Sequence, residues 1–164
     1  MPVAIIDACA LINLLKSGGA RKVLASVSAE VWFQGLVEDE VIGGAAELQR
    51  LVEDGLLHRF DGNDVMARDV AQIATAGDIG LGEAECIAIC LESDAAFISD
   101  DRRAREFAKG ELGEKNVTGM IGLLCHCIDN GDLTCEAAAA LLAQAQQAGG
   151  YLPQFDFETR EMVA

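Results

Sequence analysis

The chain has 164 residues, 27 of them Asp or Glu and 12 Lys or Arg, for a formal net charge of −15 at neutral pH. That length suits a single domain spanning 1–164, and a hydrophobic share of 51% supplies enough apolar surface for a core, which excludes a disordered polyelectrolyte. The charge argues against binding polyanions through an overall basic field, because such affinity comes from Lys and Arg neutralising phosphates, so any nucleic-acid function must explain how an acidic surface approaches phosphate.

Residues 3–6 form a short apolar run closed by Asp7, the pattern of a parallel strand buried on both faces. Residues 8–16 place Leu11, Ile12, Leu14 and Leu15 at helical spacing and end on Ser17-Gly18-Gly19. A second helix is predicted over 20–26, a strand over 30–33, and a helix or two over 37–54 with an interruption at Gly43-Gly44. Residues 56–60 read as a strand and 64–75 as an amphipathic helix with Asp64 as its cap. A turn at Gly80-Leu81-Gly82 precedes a helix over 83–92, then a strand over 95–99. Asp100-Asp101 leads into a basic helix through Lys109, followed by a brief strand over 116–118 and a helix over 119–130. The Ala- and Gln-rich stretch 136–148 is a strong helix former broken by Gly149-Gly150, and a last short helix is predicted after Pro153. Strands alternating with helices give a three-layer α/β/α sandwich around a mostly parallel central sheet, with no repeat, no linker and a helical tail over 131–164.

Residues 1–7 carry no basic stretch ahead of an apolar segment, and no apolar run approaches the roughly 18 residues that span a bilayer; the expectation is a soluble, cytoplasmic chain with no membrane partner. Cys9, Cys86, Cys90, Cys125, Cys127 and Cys135 show no C-x-x-C spacing. Several fall inside apolar helical patterns, and Cys125-His126-Cys127 cannot share a helix face, so they read as reduced core thiols and not as a zinc site.

Ligands of open α/β sheets bind outside the carboxyl ends of the strands. Acidic residues fall at just such places: Asp7 after the first strand, Asp100 and Asp101 after the strand 95–99, Glu83 and Glu85 opening a helix, and Glu40 after the second strand. Taken singly, each has an ordinary explanation. Asp7, Asp100 or Asp101 would cap a helix, Glu83 and Glu85 suit a helix dipole, and Glu40 belongs to a solvated acidic run. Taken together, converging carboxylates repel unless a cation intervenes, and oxygen ligands without His or Cys select Mg²⁺ or Mn²⁺.

Four segments, in order, carry a resemblance to the PIN-domain nucleases, best known as the toxins of bacterial toxin–antitoxin pairs. Ile5-Ile6-Asp7-Ala8-Cys9-Ala10-Leu11-Ile12 resembles the opening strand with its first acid. Val37-Glu38-Asp39-Glu40-Val41 resembles the segment with the second, at Glu40. Gly82-Glu83-Ala84-Glu85-Cys86-Ile87-Ala88-Ile89-Cys90 resembles the third, in a branch using glutamates, and the match favours Glu85 over Glu83. Ile98-Ser99-Asp100-Asp101-Arg102-Arg103-Ala104-Arg105 resembles the fourth, and favours Asp101 over Asp100. The likeness covers residues 3–130.

The resemblance implies a metal-dependent endoribonuclease in which Asp7, Glu40, Glu85 and Asp101, with Glu83 and Asp100 as further ligands, hold Mg²⁺ or Mn²⁺ and water is activated for in-line attack on phosphorus. Ser99 would bond a carboxylate or the attacking water, or else cap a helix. Arg102, Arg105 and Lys109 share a helix face and would hold phosphates, or else pair with Glu106 and Glu111, while Arg103 points elsewhere. The resemblance further implies a homodimer and a basic antitoxin-like partner drawn to the acidic field. Haloacid-dehalogenase-like phosphatases and response-regulator receivers also place an Asp after the first strand, but Cys9 and Ile5-Ile6 stand where those need acids. The alternative from another class is an inactive PIN-like module that binds RNA or protein without cutting.

Overall fold

The structure is a computed structural model that describes residues 2–35, 41, 43–60 and 67–163. Five strands, β1 (Val3–Ile6), β2 (Glu30–Gln34), β3 (His58–Phe60), β4 (Ala96–Ile98) and β5 (Val117–Thr118), form one sheet in the order β3-β2-β1-β4-β5. Every pairing in it is parallel. The chain winds outward from β1 through β2 to β3, then crosses back to β4 and on to β5. That reversal puts the topological switch point between β1 and β4, where sheets of this kind open a crevice at their carboxyl edge.

Alternation along the strands assigns the two faces. Ala4, Ile6, Val31, Phe33 and Ile98 pack into one core, which α1 (Ala8–Ser17), α2 (Ala20–Ser26), α3 (Ala45–Glu53), α7 (Met120–Asp129) and α8 (Cys135–Gln147) cover. Ile5 and Phe97 point the other way, into a second core with Ile87 and Cys90 of α5 (Leu81–Ser93) and Ala104 and Ala108 of α6 (Arg102–Leu112). With α4 (Ala67–Gly77) packed on α5, the expected three-layer α/β/α sandwich is complete. Phe33 and Phe97 are fully buried, one per face, each worth about 1.5–3 kcal/mol of hydrophobic transfer.

The elements differ from the sequence reading in particular places. No helix follows Pro153; Phe155–Asp156 (β6) and Glu161–Met162 (β7) pair as an antiparallel ribbon instead. Asp156 Oδ1 accepts from the N–H groups of Glu158 and Thr159 at 2.8 and 3.3 Å, closing a side-chain-mimicked turn that competes with any helix there. Helix α5 starts at Leu81 with Gly80 as N-cap, because Gly82 sits in a first turn whose N–H groups need no intrahelical partner. Part of the predicted 37–54 helix and the Asp64 cap lie outside the described residues. Among those described, no helix is long and apolar enough to cross a membrane. All six cysteines are free, with Cys86, Cys90 and Cys127 buried as core thiols.

Candidate active site

The backbone of Asp7 prolongs β1 by one step, its N–H donating to Ile98 O of β4 at 2.9 Å, so the side chain emerges at the switch point. Oδ1 then caps α1, accepting from Ala10 N and Cys9 Sγ, both at 3.0 Å. Asp7 is only 3% exposed, and its second oxygen, Oδ2, is buried without a hydrogen-bond partner. A plain helix cap would not leave an oxygen stranded. Burial pushes the carboxyl up from 3.8 to about 6; Cys9, Ser99 and the Ala10 N–H hold it down in part, while the neighbouring charge of Asp100 raises it further. A buried carboxylate oxygen with no donor calls for a cation or a proton.

Asp100 comes from the loop after β4 and is held on both oxygens. Oδ1 accepts from Met120 N, the first residue of α7, at 2.7 Å, and Oδ2 accepts from Asn13 Nδ2 of α1 at 2.9 Å. The approach to α7 depends on Gly119, where a Cβ would lie 2.7 Å from both Asp100 Oδ1 and Ser99 O. Asp101 is engaged differently. It is exposed and caps α6, Oδ1 accepting from Ala104 N at 2.8 Å, while its own N–H donates to Ser99 Oγ at 3.1 Å. Ser99 itself is fully buried. Of the adjacent acids, Asp100 is therefore the one set beside Asp7, and Asp101 acts as a helix cap.

Glu85 rises from the first turns of α5, half-buried, with its carboxyl raised by burial and eased by Gln34. Gln34 ends β2 at the level of Asp7, since Ile6 pairs with Phe33 in the register. Glu83 turns back along its own helix start, and a Cβ at Gly80 would meet its Oε2. The buried Cys86 thiol is driven up chiefly by desolvation and then by the charges of Asp7, Cys90, Glu85 and Glu83. Glu40 lies outside the described residues. Among the described residues, no three His, Cys, Asp or Glu side chains form a group that could hold a metal ion as they stand.

Beside Asp100 a cleft of about 1160 Å³ opens between α6 and the segment after α8. Arg102, Arg103, Arg105 and Lys109 line one wall, and Tyr151 and Leu152 line the other. Arg105 is held, donating to Ser99 O at 3.0 Å and so bracing the loop that carries Asp100. Arg103, which the sequence reading turned elsewhere, also lines this wall and pairs with Asp78 at 2.6 Å. Arg102 meets Glu106 only at 3.9 Å with both side chains exposed, a pairing worth little in water.

Sequence reasoning missed Asn13, Gly119 and the Met120 N–H, which together fix Asp100. Asn13 carried a usable signal. It interrupts the apolar run Leu11-Ile12-Asn13-Leu14-Leu15 and is 6% exposed, and a buried amide needs a polar partner.

A family model described as "DUF3368: PIN domain" matches residues 3–159, nearly the whole chain. Among solved structures, the crystal structure of PAE2754 from Pyrobaculum aerophilum is similar with a TM-score of 0.56 and 15% identity, covering 77% of this chain and 90% of that one. At that identity the likeness is one of fold. No curated protein matches the sequence.

Proposed function

The chain belongs to the PIN-domain family, whose members are generally nucleases, and on that premise we propose that it is a metal-dependent endoribonuclease cutting RNA phosphodiester bonds. The observation that carries the reading is the stranded Oδ2 of Asp7 beside Asp100 at the switch point of the sheet. A donor set of carboxylate oxygens fits a hard divalent ion, Mg²⁺ or Mn²⁺, and Asp7 and Asp100 would hold it, with Glu40, Glu85 and Glu83 as further acids and Asp101 at the margin. Such an ion, when bound, offsets the carboxylate charge so that phosphate is accepted, and lowers the pKa of water for attack on phosphorus.

The protein's own groups prepare that chemistry. Ala10 N–H and Cys9 fix the rotamer of Asp7 through Oδ1, leaving Oδ2 buried and unpartnered. Asn13 and the Met120 N–H fix both oxygens of Asp100. Outer contacts of this kind typically govern metal affinity by 10- to 100-fold, on the order seen for other ligand-orienting partners. Arg102 and Lys109, at the cleft wall, are placed to meet phosphate oxygens. No Ser-His or Cys-His pairing is needed, because water is the nucleophile. The acidic remainder of the surface, within a net charge of −15, supports a basic antitoxin-like protein as the regulator of a toxin-like enzyme.

The test is cleavage of a labelled RNA with Mn²⁺ or Mg²⁺, with and without chelator, by the wild type, Asp7→Asn and Asp100→Asn. The expected result is cutting that requires the ion and falls by at least about 10²-fold in each variant. Cutting that survives chelator and both substitutions overturns the reading; RNA binding without cutting identifies an inactive module.

A further inference from the structure

Resting on the nuclease reading, we propose that the segment 149–153 forms the outer wall of the substrate cleft and that Tyr151 is the platform on which a base of single-stranded RNA stacks.

Tyr151, the chain's single tyrosine, is 99% exposed, yet it lines the cleft that reaches Asp100. Its presentation is rigid. Helix α8 ends in a left-handed glycine, Gly149 at φ 94°, with Gly149 N donating to Gln146 O at 3.1 Å and Gly150 N to Ala145 O at 2.8 Å. Those are the paired bonds of a Schellman ending. The Gln146 side chain then donates to Leu152 O at 3.3 Å and Pro153 O at 3.0 Å, clamping the backbone on the far side of the tyrosine. An aromatic ring held out in water by a braced turn has no packing role in the fold.

The opposite wall supplies what a ring alone lacks. Arg102, Arg105 and Lys109 run along one face of α6 and face the same cleft, with Asp100 and Asp101 at its inner end. Cations that follow a phosphate backbone, facing an aromatic ring that takes a base, are the two parts of a single-strand channel. Duplex RNA keeps its bases stacked on one another and offers none to such a ring. The arrangement also answers how an acidic protein reaches RNA: through one basic wall and one stacking contact, with the rest of the surface uninvolved.

The experiment is fluorescence anisotropy of a short labelled single-stranded RNA, with Mg²⁺ present and Asp7→Asn as the non-cutting background, combined with steady-state cleavage in the Asp7-containing protein. Tyr151→Ala weakens binding and raises KM by about five- to hundredfold with kcat little changed, as expected from losing one base stack. Tyr151→Phe keeps both within about twofold, because the ring face carries the contact. Thermal unfolding is the same for all three, since the side chain packs against nothing. RNA that binds and is cut equally with Tyr151→Ala overturns this inference and leaves the nuclease reading standing. A wild type that neither binds nor cuts RNA overturns both.

Discussion

Replacing Asp7 by Asn separates the electrostatic cost of the site from its use. In the metal-free protein the Asp7 carboxyl is raised from 3.8 to about 6 because it is buried with one oxygen unpaired. The folded chain therefore holds this proton more tightly than the unfolded one. The associated stability is fully present below 3.8 and is lost as pH rises through about 6. At 1.36 kcal/mol per pKa unit, the full loss is about 3 kcal/mol. For a chain of this size that is a fall of about 6–12 °C in Tm. Asn keeps an oxygen for the Ala10 N–H and has nothing to ionise, so its stability lacks this component of the pH dependence. The assay is urea or thermal unfolding in EDTA from pH 4 to 7.5 for both proteins. The difference between the two curves isolates Asp7, since every other titrating group is shared. Adding Mg²⁺ or Mn²⁺ at neutral pH then raises the wild-type curve by mass action and leaves Asp7→Asn nearly unmoved. Parallel curves across this pH range would refute the stranded-carboxylate argument.

The two acids after β4 are distinguished by their substitutions. Asp101→Ala removes the α6 cap and costs about 1 kcal/mol of unfolding free energy, whereas Asp101→Asn keeps the acceptor and costs only a few tenths. In the same cleavage assay Asp101→Asn retains more activity than Asp100→Asn, and the reverse order would return the main role to Asp101. Gly119→Ala drives a methyl group against Asp100 Oδ1 and Ser99 O, each 2.7 Å from the new carbon. It destabilises by about 1–3 kcal/mol and, by moving the carboxylate, lowers cleavage about 10²-fold. Full activity in that variant would mean that Asp100 needs no such positioning.

What was legible in the sequence was what depends on near neighbours. The buried strand ending at Asp7, the glycine stop after α1, the basic face of α6 and the alternation behind the parallel sheet all follow from periodicity and local capping. The different engagement of Asp100 and Asp101 did not, because it depends on partners distant in the chain. What tells the two apart is the contact of Asp100 with Asn13, 87 residues away in the chain, and with the start of α7. The tail was misread for a related reason: Pro153 and the residues after it look permissive for helix, and only the Asp156 side chain commits them to a turn.

The junction between Asn13 and the end of α8 has a consequence for how the protein is made. Gly150 sits so close to Asn13 that a Cβ there would lie 2.7 Å from Asn13 Oδ1, and Asn13 donates its amide to Asp100. Helix α8 is seated on the turn after α1, where Leu141 fills the space a side chain at Gly19 would need. A ribosome delivers Asn13 early, Asp100 later and Gly150 later still. If the proposed nuclease activity holds, a fragment ending at residue 130, which lacks the α8 side of the core, is expected to lose it, and an active fragment of that length would disprove the dependence. Asp100 is thus held at second hand by the end of α8, so loosening that helix disturbs the carboxylate without touching it.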